Sequence, residues 1–508
     1  MTGGPLDGES IGIVGGGIGG LTASAYLARE GASVTIYEKQ PRVGGVAGVI
    51  EADGFRFDTG PSWYLMPELF ERFFDSFGYE PADFYELIRL DPNYRIFWTD
   101  GDTADIPADS DRAKALFERY ETGAGEALDA YLEQSKETYE VGMDNFVVPN
   151  RSRFRDYLSL DVARSARGLT LLGTMDEHVQ SYFDHPKLQQ IIQYTLVFLG
   201  GAPHNTPALY NLMSYVDFEL GVYYPQGGMY EVIDAIATVA QRQGVDIETS
   251  TAVTGLQPGD KELTIEFENS ERTHDRVLCN APVAHVEREL LPAGSHDRSD
   301  GYWSDRTYAP SAYMLYLGVE GDLDELEHHT LILPTAWDPH FETIFDSPKW
   351  PENPAYYVNV PSQTDPTVAP EGHETLVVLV PIAPGLADSS ATRKQFREQI
   401  LDSLATHAQV SLRDRIVFER EICVSEYRDK FNKPQGTALG LAHTLFQTGP
   451  MRPSHRAPGV DRLYYVGGDT NPGIGVPMTL LSGEHAAETI VEDATNAGTI
   501  SRLVPWNN

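Results

Sequence analysis

Cysteine is almost missing from this chain: Cys279 and Cys423 are the only two in 508 residues. They lie far apart in apolar, strand-like surroundings, so no disulfide framework and no zinc motif can be built from them. A reducing compartment is expected. The 14 histidines include no His-x-x-x-His pair; the one doublet, His328-His329, is expected at the surface or in a turn. No uncharged apolar run is long enough to cross a bilayer. The opening Met1–Ser10 has neither the basic nor the apolar part of a signal peptide, which predicts a cytoplasmic protein, soluble or lying on a membrane. Positive charge is scarce as well. Against 75 Asp and Glu stand 38 Lys and Arg, a net charge of −37. Such a surface repels phosphate backbones, which excludes nucleic acid as a partner, and it disfavours simple docking onto anionic lipid. The acidity runs through the whole chain and not in one tail, as in proteins of a very saline cytosol, where screening removes the self-repulsion. There is no internal repeat and no low-complexity linker.

What is present describes a folded protein with room for more than one core: 41% hydrophobic and 10% aromatic residues. Ile11–Val14 reads as a buried strand, Gly15–Gly20 as a tight turn, Leu21–Arg29 as a helix ended by Gly31, and Ala32–Tyr37 as a second strand closing on Glu38. That is a βαβ unit with a parallel sheet. Residues from about 112 to 216 are rich in helix formers. Between Leu188 and Val216 there is no Asp, Glu, Lys or Arg. Gly200, Gly201, Pro203 and Pro207 prevent one spanning helix there, leaving a buried core segment or a membrane-facing surface. After a helix at Tyr230–Gln243, short strands at 245–249, 251–256 and 277–281 read as returns to the first sheet. Ala312–Gly318, Tyr356–Val360 and Leu376–Pro381 predict a second, largely antiparallel sheet. The fold class expected is α/β: a Rossmann-like domain with a parallel sheet (1–95, 221–290 and 455–508), a helical cap (96–220) and a substrate domain of mainly antiparallel sheet (291–454).

The spacing Gly15-x-Gly17-x-x-Gly20 fits a dinucleotide site. The first glycine permits the turn, the second admits a pyrophosphate to the backbone, and the third lets helix and strand pack closely. The helix N-terminus then offers N–H groups and a favourable dipole to the phosphates. Glu38, at the end of the next strand, can accept both ribose hydroxyls of an adenosine. The choice between NAD and FAD turns on the rest of the chain. Arg42-Val43-Gly44-Gly45 adds a second close-approach glycine pair, with Arg42 a candidate phosphate contact. Near the C-terminus Gly468-Asp469 offers a carboxylate suited to a ribityl hydroxyl. Gly473–Met478, including Gly475, Val476, Pro477 and Met478, opens a helix whose N-terminus can face a flavin pyrimidine edge. NAD needs no such second contact, so FAD is the cofactor expected.

Four blocks carry a resemblance: Ile13-Val-Gly-Gly-Gly-Ile-Gly-Gly-Leu21, Gly54-Phe-Arg-Phe-Asp-Thr-Gly-Pro-Ser62, Gly221-Val-Tyr-Tyr-Pro-Gln-Gly-Gly228 and Arg462-Leu-Tyr-Tyr-Val-Gly-Gly-Asp-Thr-Asn-Pro-Gly-Ile-Gly-Val-Pro477. The chain resembles the phytoene desaturases of the bacterial and archaeal carotenoid-desaturase family, within the amine-oxidase-like flavoproteins. The resemblance implies FAD as the only redox cofactor, a long hydrophobic polyene as substrate, quinone or oxygen as electron acceptor, and peripheral contact with a membrane surface. It also places Gly60, Pro61, Ser62 and Val253 among the cofactor-binding positions. Where the family often has a base after the glycine pair, this chain has Val46.

Desaturation removes a hydride from an allylic carbon and a proton from its neighbour, so it needs orientation, a proton acceptor and charge stabilisation, but no nucleophile or metal. The resemblance puts Arg155-Asp156 beside the flavin, with Asp156 as base or charge stabiliser and Arg155 as its orienter. An exposed ion pair at a helix start is the competing reading. The main expectation is phytoene-type desaturation. The alternatives are a carotenoid 3,4-desaturase, a carotenoid cis–trans isomerase, and, further off, an amine oxidase or a flavin-fold lipid escort without enzymatic activity.

Overall fold

The computed structural model describes residues 4–151 and 173–503. Its first sheet has five parallel strands in the order Leu463–Tyr465, Arg276–Cys279, Ser10–Val14, Ser33–Tyr37, Asp246–Glu248. Segments from the beginning, middle and end of the sequence therefore pair side by side, and the central strand is the one that runs into the glycine turn. Its residues Ile11–Val14 are all buried, as a parallel strand covered on both faces requires. The helix Ile18–Arg29 covers one face together with Met229–Arg242 and the long C-terminal helix Val476–Leu503. The expected strand at 251–256 is different. Only Gly255–Pro258 is extended, and it pairs antiparallel with Leu263–Glu266 in a separate three-stranded sheet.

The second sheet has seven strands ordered Ile416–Ile422, Ser311–Glu320, His373–Ile382, Tyr356–Asn359, His329–Leu333, Tyr94–Trp98, Thr103–Ile106. All neighbours are antiparallel except His329–Leu333 with Tyr94–Trp98. Residues 94–106 thus complete this sheet, which corrects the boundary expected at residue 96. The pairing of 94–98 with 329–333 joins residues far apart in sequence, and no local pattern announces it. His328 and His329 are buried in the same sheet and not at the surface or in a turn.

The helical region packs onto the edge of that sheet. Its helix Ala124–Gly142 and the shorter Met175–Gln180 and Pro186–Gln193 share one apolar core with Leu331, Leu333 and Tyr357. Within the charge-free stretch, Leu188, Ile191, Ile192, Tyr194, Leu196, Ala202, Ala208 and Val216 are buried. Of the two readings open for that stretch, these side chains follow the core one. Among the described residues no helix is long and apolar enough to cross a membrane.

Candidate functional site

The glycine turn is built as its spacing requires. Gly15 has φ +98°, which only glycine adopts without strain. A Cβ at Gly20 would lie 2.5 Å from the Gly15 carbonyl, so the third glycine is what lets the helix fold back against the strand. Gly17 begins the helix Ile18–Arg29 with no side chain of its own to cap it, leaving the Ile18 and Gly19 N–H groups and the positive dipole end for an anion. The second pair lies against the first. Gly44 donates its N–H to the Gly16 carbonyl at 2.8 Å, and Gly45 sits so close that a Cβ there would be 3.6 Å from the Gly17 Cα. Two glycine backbones thus form one side-chain-free cradle.

Glu38 is 5% exposed, and its carboxylate is fixed before any ligand arrives. One oxygen accepts the Gly16 N–H and the other the Gln40 N–H, both at 2.7 Å. Charge-assisted bonds of this length hold the group rigid while each oxygen keeps a free lone pair for a hydroxyl. The segment carrying Val253 passes beside it, since Thr251 donates to the Glu38 carbonyl at 2.8 Å. Val253 itself packs on the cluster around Leu256 and Val283.

Asn280 was not foreseen. It follows the strand Arg276–Cys279, accepts the Gly20 N–H at 3.1 Å and donates to the Val466 carbonyl at 3.2 Å. One side chain thereby ties the glycine turn to the C-terminal block. Only its place at the end of a short apolar strand hinted at such a role. The C-terminal block is brought in closely: a Cβ at Gly19 would meet Val466 at 3.0 Å and the Gly467 nitrogen at 3.2 Å. Beyond it, Asp469 accepts the Val283 N–H at 3.1 Å and the Leu441 N–H at 3.2 Å. Gly468 is held by Arg452, whose guanidinium donates to its carbonyl at 2.7 Å. Gly473 and Gly475 have φ +133° and +117°, and the chain then enters the C-terminal helix at Val476-Pro477-Met478. Ile474 donates to His443 at 3.0 Å, and the His443 ring also bonds the Tyr210 hydroxyl. Both ends of the chain therefore meet at one crevice that runs from Glu38 past the two glycine pairs toward Asp469.

The model of flavin-containing amine oxidoreductases matches residues 18–491 of this chain. The chain belongs to that family. Among curated relatives, a carotenoid 3,4-desaturase of Haloarcula japonica is 55% identical over 96% of this chain and 99% of its own length. A zeta-carotene-forming phytoene desaturase of Myxococcus xanthus is 32% identical over 95% of this chain and 94% of its own. The fold is that of an oxidoreductase from Methanosarcina mazei, which superposes with a TM-score of 0.65 at 16% identity, covering 94% of this chain and all of that one. Putrescine oxidase superposes with a TM-score of 0.60 over 95% of this chain and 99% of its own. The chain is an FAD-dependent oxidoreductase, and the cradle just described fits FAD: side-chain-free backbone for a diphosphate, a fixed carboxylate at one end, and a second carboxylate and a helix N-terminus at the other.

Arg42 departs from expectation. Its side chain is 55% exposed and its guanidinium pairs with Glu51 at 2.7 Å, held there by the neighbouring hairpin Val49–Asp58 rather than turned into the cradle. Gly60-Pro61-Ser62 lies against the backbone just past the second glycine pair, a Cβ at Gly60 being 2.5 Å from the Val46 carbonyl. It leads into Trp63, which stacks on His329 with ring centroids 4.0 Å apart and also meets Tyr94, Tyr194 and Tyr357. Behind these rings, Asp217 is 3% exposed and accepts the Tyr94 and Tyr194 hydroxyls at 3.0 and 3.1 Å. Burial raises its pKa to about 7 in spite of those two donors. Arg155 and Asp156 lie outside the described residues.

Proposed function

We propose that this chain desaturates a long apolar carotenoid, and that the bond it dehydrogenates is the 3,4 bond. The observation that carries the reading is the 55% identity with the carotenoid 3,4-desaturase of Haloarcula japonica over nearly the full length of both chains. Desaturation of a phytoene-type substrate is the second reading, favoured by the Myxococcus xanthus enzyme and by a phytoene desaturase of Fusarium fujikuroi, 30% identical over 98% of this chain.

When bound, FAD supplies the hydride acceptor. The protein's part is binding, orientation and charge. Glu38 takes the adenosine ribose, the glycine pairs admit the diphosphate, and Asp469 takes a ribityl hydroxyl. The positive end of the helix Val476–Leu503 favours negative charge placed before it. The rings of Trp63, Tyr94, Tyr194 and Tyr357 enclose an apolar wall that keeps water from the neighbourhood of the Gly60–Ser62 strap. Asp156, oriented by Arg155, accepts the proton lost beside the hydride-bearing carbon. Electrons leave to a quinone or to oxygen.

A polyene of this kind has to be drawn from a membrane surface. Residues 430–460 contain no Asp or Glu in a chain with 75 of them, and within that stretch Phe446 is 77% and Met451 49% exposed. A surface cleared of acids and bearing apolar tips supports peripheral contact there.

The test is anaerobic incubation of the protein with FAD and a quinone in liposomes, with phytoene in one set and a fully conjugated acyclic carotenoid in another. A product two hydrogens poorer, dehydrogenated at the 3,4 position and formed from the conjugated substrate alone, is expected. New polyene bands from phytoene would establish the second reading, and no product from either would defeat both. In the same assay Asp156→Asn should slow flavin reduction while FAD stays bound; unchanged kinetics would remove Asp156 from the reaction.

A further inference from the structure

A diphosphate brings two negative charges into a protein that already carries −37, and burying them calls for a cation close by. Arg42 does not provide it, being committed to Glu51 in solvent. Arg452 is fixed in place by three backbone carbonyls, those of Leu441, Gln447 and Gly468, with its Nε–H left unpartnered among the described residues.

The other candidate arrives from the second domain. The helix Val424–Phe431 ends at Asn432, whose φ of +55° turns the chain sharply. That turn is pinned to the adenosine end of the crevice: Lys39 donates to the Asn432 side chain at 3.0 Å, and Gln40 donates to the Lys430 carbonyl at 3.2 Å. His285 holds Asn432 from the other side at 2.9 Å. The next residue, Lys433, reaches the opposite end. A Cβ built at Gly440 would stand 2.7 Å from an Asp469 oxygen and 4.0 Å from the Lys433 ammonium, so the two side chains converge on one point. No described carboxylate comes within ion-pair distance of that ammonium, although Asp469 acts on it electrostatically. Lys433 is part-buried as a residue, and desolvation lowers its pKa below the ordinary lysine value.

The geometry points to Lys433 as the cation that closes over the FAD diphosphate from the second domain. The diphosphate is the only part of FAD that joins the ribose held at Glu38 to the ribityl chain held at Asp469, and Lys433 leaves a turn anchored beside the first and extends to the second. This assignment rests on FAD occupying the crevice, and it makes the 430–433 turn a binding element contributed by the sheet domain.

The test uses the full-length protein stripped of flavin and titrated with FAD and, separately, with ADP, which carries the diphosphate without the isoalloxazine. Lys433→Met should weaken both ligands by roughly tenfold to a hundredfold, as for the loss of one charge-assisted hydrogen bond. Lys433→Arg should recover most of the affinity, and Arg42→Ala should leave it unchanged. The salt dependence of FAD binding should also flatten in Lys433→Met. Unaltered FAD affinity in Lys433→Met would overturn the assignment. So would a loss confined to FAD with ADP unaffected, which would move the ammonium to the isoalloxazine. The unsubstituted protein's own binding of FAD tests the crevice separately from the lysine. If Lys433→Met does not fold, the Lys433→Arg and Lys433→Gln pair, compared for ADP affinity, answers the same question.

Discussion

Asp217 is a carboxyl that the fold prefers uncharged. Its two phenolic donors, from Tyr94 and Tyr194, favour the anion, but burial outweighs them and its pKa stands at about 7. The sign of the linkage follows. Below the ordinary carboxylate range the group is neutral in both folded and unfolded states. Between there and about pH 7 only the unfolded chain ionises, so stability is lost as pH rises, on the order of a few kcal/mol in all. Above that the loss is constant. Asp217→Asn should therefore gain stability relative to the unsubstituted protein as pH is raised from 4 to 8 in denaturant titrations, and a difference independent of pH would contradict the burial argument. The residues that sequence could not single out share one property. Asn280 and Lys433 are each one ordinary polar side chain in an unremarkable stretch, and each stands out only through what distant segments bring to it, the glycine turn for Asn280 and Asp469 for Lys433. Gly15, Gly17, Gly20, Glu38 and Asp469 were legible because backbone chemistry fixes them locally: a positive φ, a close approach, or a carboxylate at a strand end. Spacing alone likewise cannot reveal that the Arg42 guanidinium pairs with Glu51.

Among the elements, the contact between the helices Ile18–Arg29 and Val476–Leu503 sets how tightly the two ends of the crevice are held. Gly483 makes the approach possible: a Cβ there would lie 2.6 Å from the Thr22 Cβ and 2.9 Å from the Gly19 carbonyl. Replacing glycine by alanine within a helix normally stabilises by about 1 kcal/mol. Here the new methyl meets backbone that cannot retreat without moving the glycine turn, and overpacking of this kind costs about 1–3 kcal/mol. Gly483→Ala should lower stability in urea titrations and weaken FAD binding together; a gain in stability would show that the helices can part freely. A second element-level joint is Asp58, which caps the helix Met229–Arg242 by accepting the Met229 and Tyr230 N–H groups at 2.7 and 3.0 Å. It links the Val49–Asp58 hairpin to the nucleotide domain. That the strands near 246 and 277 join the parallel sheet was readable from their short apolar runs. The membership of Tyr94–Trp98 in the other sheet was not, because its parallel partner His329–Leu333 lies in another part of the sequence.

For the molecule as a whole, the scarce cations are placed with economy. Lys187, Arg276 and Arg452 are each under 10% exposed, while acids dominate the surface. Arg393 holds both Asp388 and Glu426, and Arg397 holds both Glu398 and Glu419, so single guanidinium groups neutralise pairs of carboxylates. Most of the acidic excess has no such partner and repels itself over the Debye length, about 10 Å at 0.1 M salt and about 3 Å at 1 M. The melting temperature should therefore rise between 0.1 M and 2 M KCl, measured by circular dichroism, and a flat or falling melting temperature would mean that local ion pairs outweigh the general repulsion. The pairing of Leu463–Tyr465 against Arg276–Cys279, beside the strand Ser10–Val14, also bears on how the protein comes to exist in the cell. A nascent polypeptide has its glycine turn out of the ribosome early, yet Asp469 and the helix Val476–Leu503, to which the proposed binding mode gives the flavin's other half, are translated last. On that binding mode cofactor capture comes late in biogenesis, and a product terminated before Leu463 is expected to leave the ribosome colourless.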